Sequence, residues 1–260
     1  MDDFAKAPDQ PPDFPSLLRL AGRVARDAGV LVRRRPSDLQ VDTKTTPTDV
    51  VTAVDAASER LIVDALLAAR PDDGVLGEEG AGAPGTSGVR WVIDPIDGTV
   101  NYLYDIPAFA VSIAAEYRGE VVAGVVLDVA ADRLYAATLG GGASCDGTPL
   151  ACSAAADLSQ SLIGTGFAYD ANTRREQASV LVEVLPLVRD IRRFGSCALD
   201  LCAVAAGRLD GYYEWGPSLW DYAAGGLIAR EAGAQVFGAH GGLVVAGTPG
   251  IFDALSALLP

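Results

Sequence analysis

The residues most able to do chemistry in this chain are carboxylates delivered by apolar runs. In WVIDPIDGTVNY, residues 91–102, Asp94 and Asp97 flank Pro95 at the end of a strand-like stretch. Glu78 and Glu79 close a second short apolar run at GEEG, and Asp221 follows Trp220 where a helical pattern begins. Turn chemistry accounts for each alone. Asp-Pro and Asp-Gly open loops, an acid suits the first turn of a helix, and Glu78 with Glu79 reads as a solvated loop. Repetition argues for more: three times an apolar segment hands a carboxylate to a turn or a helix start, and strand ends are where sites are assembled.

Convergence of Glu78, Asp94, Asp97 and Asp221 would be costly. At about 4 Å and an effective dielectric of 20, each like pair repels by roughly 4 kcal/mol, so several pairs rival a domain's whole stability. Either some of the four are protonated or divalent cations neutralise them. An all-oxygen set with no histidine or thiolate beside it points to Mg²⁺ rather than zinc or copper. Magnesium keeps waters and recruits substrate phosphates, so the pattern suggests phosphoryl chemistry.

The elements that must position these groups are legible in outline. Leu17, Leu20, Ala21, Val24, Ala28, Leu31 and Val32 recur at helical spacing, with Ser16 expected as N-cap and Pro36 as the stop. A second helix is predicted from near Val54 to Ala69, after a polar stretch that holds Lys44. Short strands at GVLGEE and VRWVID lead into longer β-rich runs at FAVSIAAEY, EVVAGVVLDV and RLYAATLGGGASC. From about Leu162 strands and helices alternate, with helices over 174–187, 198–206 and 220–232. The mixture predicts an α/β protein of layered sheets covered by helices. Residues 1–13, rich in proline, read as a mobile tail, and 14–260 as a single catalytic domain with halves 14–155 and 156–260.

The totals exclude several classes. With 260 residues, half of them hydrophobic, the chain can bury a full core. No apolar run reaches the roughly 20 residues of a membrane span and the start is no signal peptide, so a cytoplasmic location with no membrane partner is expected. Four cysteines without ladder spacing and a single histidine, His240, speak against structural zinc and a Ser/His/Asp triad. The net charge of −14 argues against nucleic acid as a partner, but not against a phosphate ester once bound metal reverses the local field.

The chain resembles the Mg²⁺-dependent inositol monophosphatase family of phosphomonoesterases, nearest its bacterial inositol-1-monophosphatases. The resemblance rests on WVIDPIDGTVNY and WDYAAGGLIAREAGA (residues 220–234), with GEEG and KTTPTDVVTAVD (residues 44–55) falling where the family has corresponding segments. It implies the layered αβαβα sandwich shared with fructose-1,6-bisphosphatases, two to three Mg²⁺ ions, lithium sensitivity and a homodimer. Carried over, it implies that Glu78, Asp94 and the Ile96 carbonyl hold one ion, and that Asp94, Asp97 and Asp221 hold a second. Thr99, paired with Asp55, would orient the attacking water, while Gly98 and Thr99 offer amides to the phosphate. Asp97, Gly195, Cys197, Ala198, Glu214 and Asp221 would meet the alcohol, with Lys44 and Glu79 supporting the metal ligands from behind. Cys197 stands where small alanine-like residues are common in the family, which leaves the leaving-group preference open. The expected substrate is a small phosphorylated polyol, myo-inositol 1-phosphate first. Fructose 1,6-bisphosphate, histidinol phosphate, adenosine bisphosphate, a non-catalytic regulatory role and a cation-binding module are the alternatives.

Overall fold

The computed structural model describes residues 11–36, 41–44 and 50–260. Most of the expected tail, and residues 45–49 of the Lys44 segment, lie outside the described residues. The first helix, Phe14–Arg33, buries Leu17, Leu20, Ala21, Val24, Ala28 and Val32 along one face, as their spacing requires. Its cap is Asp13 rather than Ser16: the Ser16 amide donates to the Asp13 carbonyl at 3.0 Å, because Pro15 already occupies the first turn. The second helix, Ala53–Ala69, starts from a capping box in which the Asp55 carboxylate accepts the Thr52 amide at 2.9 Å.

Eight strands form the larger sheet. Its order runs Thr148–Pro149, Gly142–Cys145, Arg133–Thr138, Glu120–Asp128, Ala110–Tyr117, Val89–Asp97, Gly74–Gly77, Gly82–Ala83. Neighbours are antiparallel except Gly74–Gly77, which runs parallel to Val89–Asp97 with Gly77 opposite Ile93. That register carries the next residue, Glu78, level with Asp94. The smaller sheet has five strands, ordered Asp190–Arg192, Leu162–Thr165, Gly211–Trp215, Leu243–Gly247, Gln235–Gly238.

Alternation along the strands sorts the layers. Trp91, Ile93, Val111, Ile113, Val125 and Leu127 pack with the first two helices. Val92, Ala114 and Val126 face the helices Cys197–Ala205 and Leu219–Glu231, which are also covered by Tyr212, Val244 and Ala246 of the smaller sheet. The far face of that sheet, with Ile163, Tyr213 and Val245, packs against Val184 and Leu255 of the helices Ala171–Val184 and Phe252–Ser256. The result is the helix, sheet, helix, sheet, helix stack expected from the sequence. The middle contact is tight: a Cβ on Gly124 would lie 2.9 Å from the Cα of Ala224, so strand and helix backbones meet there.

Candidate active site

Asp94 and Asp97 are three residues apart, and on a regular strand they would point to opposite faces. They do not, because the pairing with Ala110–Tyr117 shifts register between them. The Pro95–Ile96 step supplies the extra residue of a bulge, which turns both carboxylates to the side facing the helix Leu219–Glu231. Asp221, third residue of that helix, completes the corner. One oxygen of each of Asp94, Asp97 and Asp221 lies within 4.8 Å of the other two.

Each of these carboxylates is already anchored. Asp94 accepts the Ile96 amide at 3.0 Å. Asp97 accepts the Ala198 amide at 2.7 Å and the Ser196 hydroxyl at 2.5 Å, so it caps the helix Cys197–Ala205. Asp221 accepts the Ser218 amide at 2.6 Å in a capping box. The anchoring leaves an oxygen of each facing the shared space.

Electrostatics mark the corner as unsatisfied. Burial pushes Asp94 well above the usual carboxylate range, and the charges of Glu78, Asp97 and Asp221 push it further. Asp221 rises for the same reasons, burial first and then Glu78 and Asp97. Asp97 is raised to about 6 by burial, against the bonds from Ser196 and Ala198. Glu78 is raised by burial, and Lys44 opposes this. Lys44 donates to Glu78 at 2.8 Å and to Glu79 at 2.6 Å. Burial disfavours its ammonium, yet those two carboxylates hold its pKa above the usual value.

A cavity of about 570 Å³ opens over the corner, and Glu78, Asp94, Asp97, Glu214 and Asp221 all line it. Lys44, Ile96, Gly98, Thr99, Gly195 and Cys197 also reach its wall. The other three expected residues lie outside the lining. Asp55 is fully buried behind Thr99, whose hydroxyl lies 3.2 Å from its Oδ1 and 3.0 Å from the Ile96 carbonyl. Burial raises Asp55 to about 6, opposed by its bonds from Thr52. Glu79 sits behind Lys44, and Ala198 contributes its backbone amide to Asp97.

Residues not singled out from the sequence shape the far wall. Tyr212 donates a short hydrogen bond to Glu214, whose pKa burial raises. Gly166 has no room for a side chain, since a Cβ there would lie 2.1 Å from the Glu214 carboxylate. Asn101 donates at 2.7 Å to the carbonyls of both Ala108 and Phe194, tying the Gly195 segment to the motif helix Thr99–Leu103. Its signal was a buried amide inside an apolar motif. Ser196 and Gly166 had no signal short of the fold.

Residues 15–257 match the sequence model of the inositol monophosphatase family. The chain is 48% identical over 277 positions to a protein named inositol-1-monophosphatase from Mycobacterium bovis, covering 96% of each. It is 39% identical over 256 positions to Nus factor SuhB of Escherichia coli (strain K12), covering 93% of this chain and 94% of that one. The solved structure of Mycobacterium tuberculosis SuhB superposes with a TM-score of 0.85 at 48% identity, covering 96% of this chain and 97% of that one. On this similarity across nearly its whole length, the chain belongs to the inositol monophosphatase family and is a phosphatase.

Proposed function

We propose that the protein hydrolyses myo-inositol 1-phosphate to myo-inositol and phosphate, with Mg²⁺ as its metal and no covalent intermediate. The observation that carries this reading is the convergence of Asp94, Asp97 and Asp221 within 4.8 Å in a buried corner. Three ionised groups at that spacing repel by roughly 3 kcal/mol per pair at an effective dielectric of 20. A divalent cation reverses the sign. Opposite oxygens on Mg²⁺ stand roughly 4.2 Å apart, and hard oxygen ligands are its preference. The donor set therefore fits the ion. Asp94, Asp97 and Asp221 would hold one site, and Asp94, Glu78 and the Ile96 carbonyl a second.

Bound there, Mg²⁺ supplies positive charge for the phosphoryl oxygens and makes water acidic enough to attack at neutral pH. The remaining work falls to the chain. Thr99 donates its hydroxyl hydrogen bond to Asp55 or the Ile96 carbonyl, so the lone pairs on Oγ1 are aimed to accept a hydrogen bond from the attacking water. The amides of Gly98 and Thr99 open a helix start and would hold phosphate oxygens. Lys44 donates to Glu78, opposing the effect of burial on its charge and fixing the direction of its carboxylate. Glu214, with Asp97 and the Gly195 to Ala198 backbone, accepts hydrogen bonds from polyol hydroxyls.

A substrate panel tests the reading: phosphate release from inositol 1-phosphate should saturate with Mg²⁺ and stop with chelator. Rapid release from fructose 1,6-bisphosphate, histidinol phosphate or adenosine 3′,5′-bisphosphate, with none from inositol 1-phosphate, replaces the substrate and keeps the site. The reading also takes 14–260 as one catalytic unit, cytoplasmic and homodimeric, and exposed Tyr104, Ile106 and Phe194 offer apolar surface for a partner copy. Sedimentation at monomer mass overturns that part. Among the described residues no helix is long and apolar enough to cross a membrane. A regulatory binding role beside hydrolysis is favoured by the similarity to a Nus factor. A catalytically dead variant that still complements a loss-of-function strain would support it.

A further inference from the structure

The helix Ala53–Ala69 carries three buried polar side chains, Asp55, Ser58 and Glu59, at 0%, 0% and 5% exposure. Their spacing sets them on one helix face. Each reaches a different segment of the cavity wall. Asp55 meets Thr99, and Ser58 donates to the Pro95 carbonyl at 3.3 Å, inside the Asp94–Asp97 bend. Glu59 accepts the Glu79 amide at 2.9 Å through Oε2 and the Ala81 amide at 3.0 Å through Oε1.

Glu59 is the informative member. A buried carboxylate is tolerated only when hydrogen-bonded or paired, and Glu59 forms no ion pair among the described residues. Its hydrogen bonds are both to amides of one turn, the turn that bears Glu78. The turn is folded down onto it, since a Cβ on Gly77 would lie 2.2 Å from Glu59 Oε2. Gly77 donates to the Ala81 carbonyl at 2.7 Å, and Glu78 itself donates to the Ile93 carbonyl at 3.2 Å. Glu78 is thus held by the sheet on one side and by Glu59 on the other.

We infer that Glu59 is a positioning residue that, through the amides of Glu79 and Ala81, sets the Glu78 carboxylate against Asp94. The inference rests on the metal site proposed above and deepens it. A merely structural Glu59 would support the fold without affecting how the site takes up metal. A positioning Glu59 would alter metal uptake even in protein that folds normally.

The test is Glu59→Gln in the full chain. Glutamine can accept one of the two amides and turns its own donor toward the other. The Mg²⁺ concentration for half-maximal hydrolysis should rise about tenfold, with kcat at saturating Mg²⁺ within about twofold, as for groups that orient metal ligands. Calorimetric Mg²⁺ affinity should fall by the same factor, and amide exchange at Glu79 and Ala81 should accelerate. Leu66→Ala, which empties a fully buried position on the same helix, should lower Tm and leave the Mg²⁺ titration in place. A titration of Glu59→Gln that superposes on wild type overturns the inference, as does an equal shift in Leu66→Ala. If Glu59→Gln fails to fold, Glu59→Asp, with both acceptors drawn back by a methylene, is held to the same criteria. A wild-type protein whose activity ignores Mg²⁺ overturns the metal reading instead.

Discussion

Asp94 is crowded by like charge, with Glu78, Asp97 and Asp221 all raising its pKa beyond the effect of burial. Asp94→Asn should therefore separate function from stability. Losing an oxygen shared by the proposed metal sites should lower kcat by at least about 10³-fold, because each ion is worth several kcal/mol of transition-state stabilisation. The metal-free variant should melt at or above the wild-type Tm, since a repelling charge has gone. Undiminished hydrolysis would refute the metal assignment. In the proposed mechanism Thr99 acts on the water rather than on the ions. Thr99→Ala should lose about 10²-fold or more in kcat with calorimetric Mg²⁺ affinity unchanged, and a parallel loss of affinity would move Thr99 into the ligand set. Of the substrate, Glu214 touches only the alcohol in this reading. Glu214→Gln should raise KM for inositol 1-phosphate by roughly 5- to 10-fold, the difference of about 1 kcal/mol between a charge-assisted and a neutral hydrogen bond, and leave p-nitrophenyl phosphate, which lacks ring hydroxyls, nearly untouched. Equal effects on both esters would exclude a role in polyol recognition.

At the scale of elements, the site is made by three irregularities in otherwise regular structure. The register shift at Pro95–Ile96 brings Asp94 and Asp97 to one side. The capping box at Ser218 turns Asp221 inward. The third is the left-handed turn at Gly98, φ 92°, which starts the helix Thr99–Leu103. A Cβ on Gly98 would lie 2.9 Å from the Ala108 carbonyl and 3.1 Å from that of Gly195. Gly98→Ala combines an unfavourable φ with a clash against two backbone oxygens. It should destabilise the protein by roughly 1–3 kcal/mol in urea titration and abolish hydrolysis, because the amides proposed to hold the phosphate move with the turn. A variant of wild-type stability and activity would mean that the turn is far softer than its packing indicates.

Across the whole molecule, buried acids should tie stability to pH when metal is absent. Asp55 has a folded pKa raised from 3.8 to about 6, so the folded state holds its proton more tightly than the unfolded chain does. For such a group the contribution to stability is greatest below pH 3.8 and declines as pH rises through 6. From Asp55 alone the decline is on the order of 3 kcal/mol. Asp94, Asp97, Asp221 and Glu78 shift in the same direction. In EDTA, Tm should fall between about pH 4 and 7 beyond the ordinary trend of acidic proteins. Saturating Mg²⁺ should restore it at neutral pH, because a ligand that binds only the folded state stabilises it. A flat metal-free profile would mean that these acids are solvated in solution.

Chemistry was more legible in this sequence than geometry. Apolar runs that end in acids, with no histidine or cysteine inside those motifs, were enough to propose oxygen ligation and phosphoryl transfer, because charge burial is governed by residue type. Helical spacing and strand alternation located most elements for the same local reason. What local pattern could not give was register. Only the parallel pairing of Gly77 with Ile93 sets Glu78 beside Asp94, and only the shifted pairing after Asp94 turns Asp97 to the same side. Ser58, Glu59, Ser196 and Gly166 act through partners 20 to 99 positions away. Their side chains carry no periodic signal, so the packing of helix on sheet decided their roles.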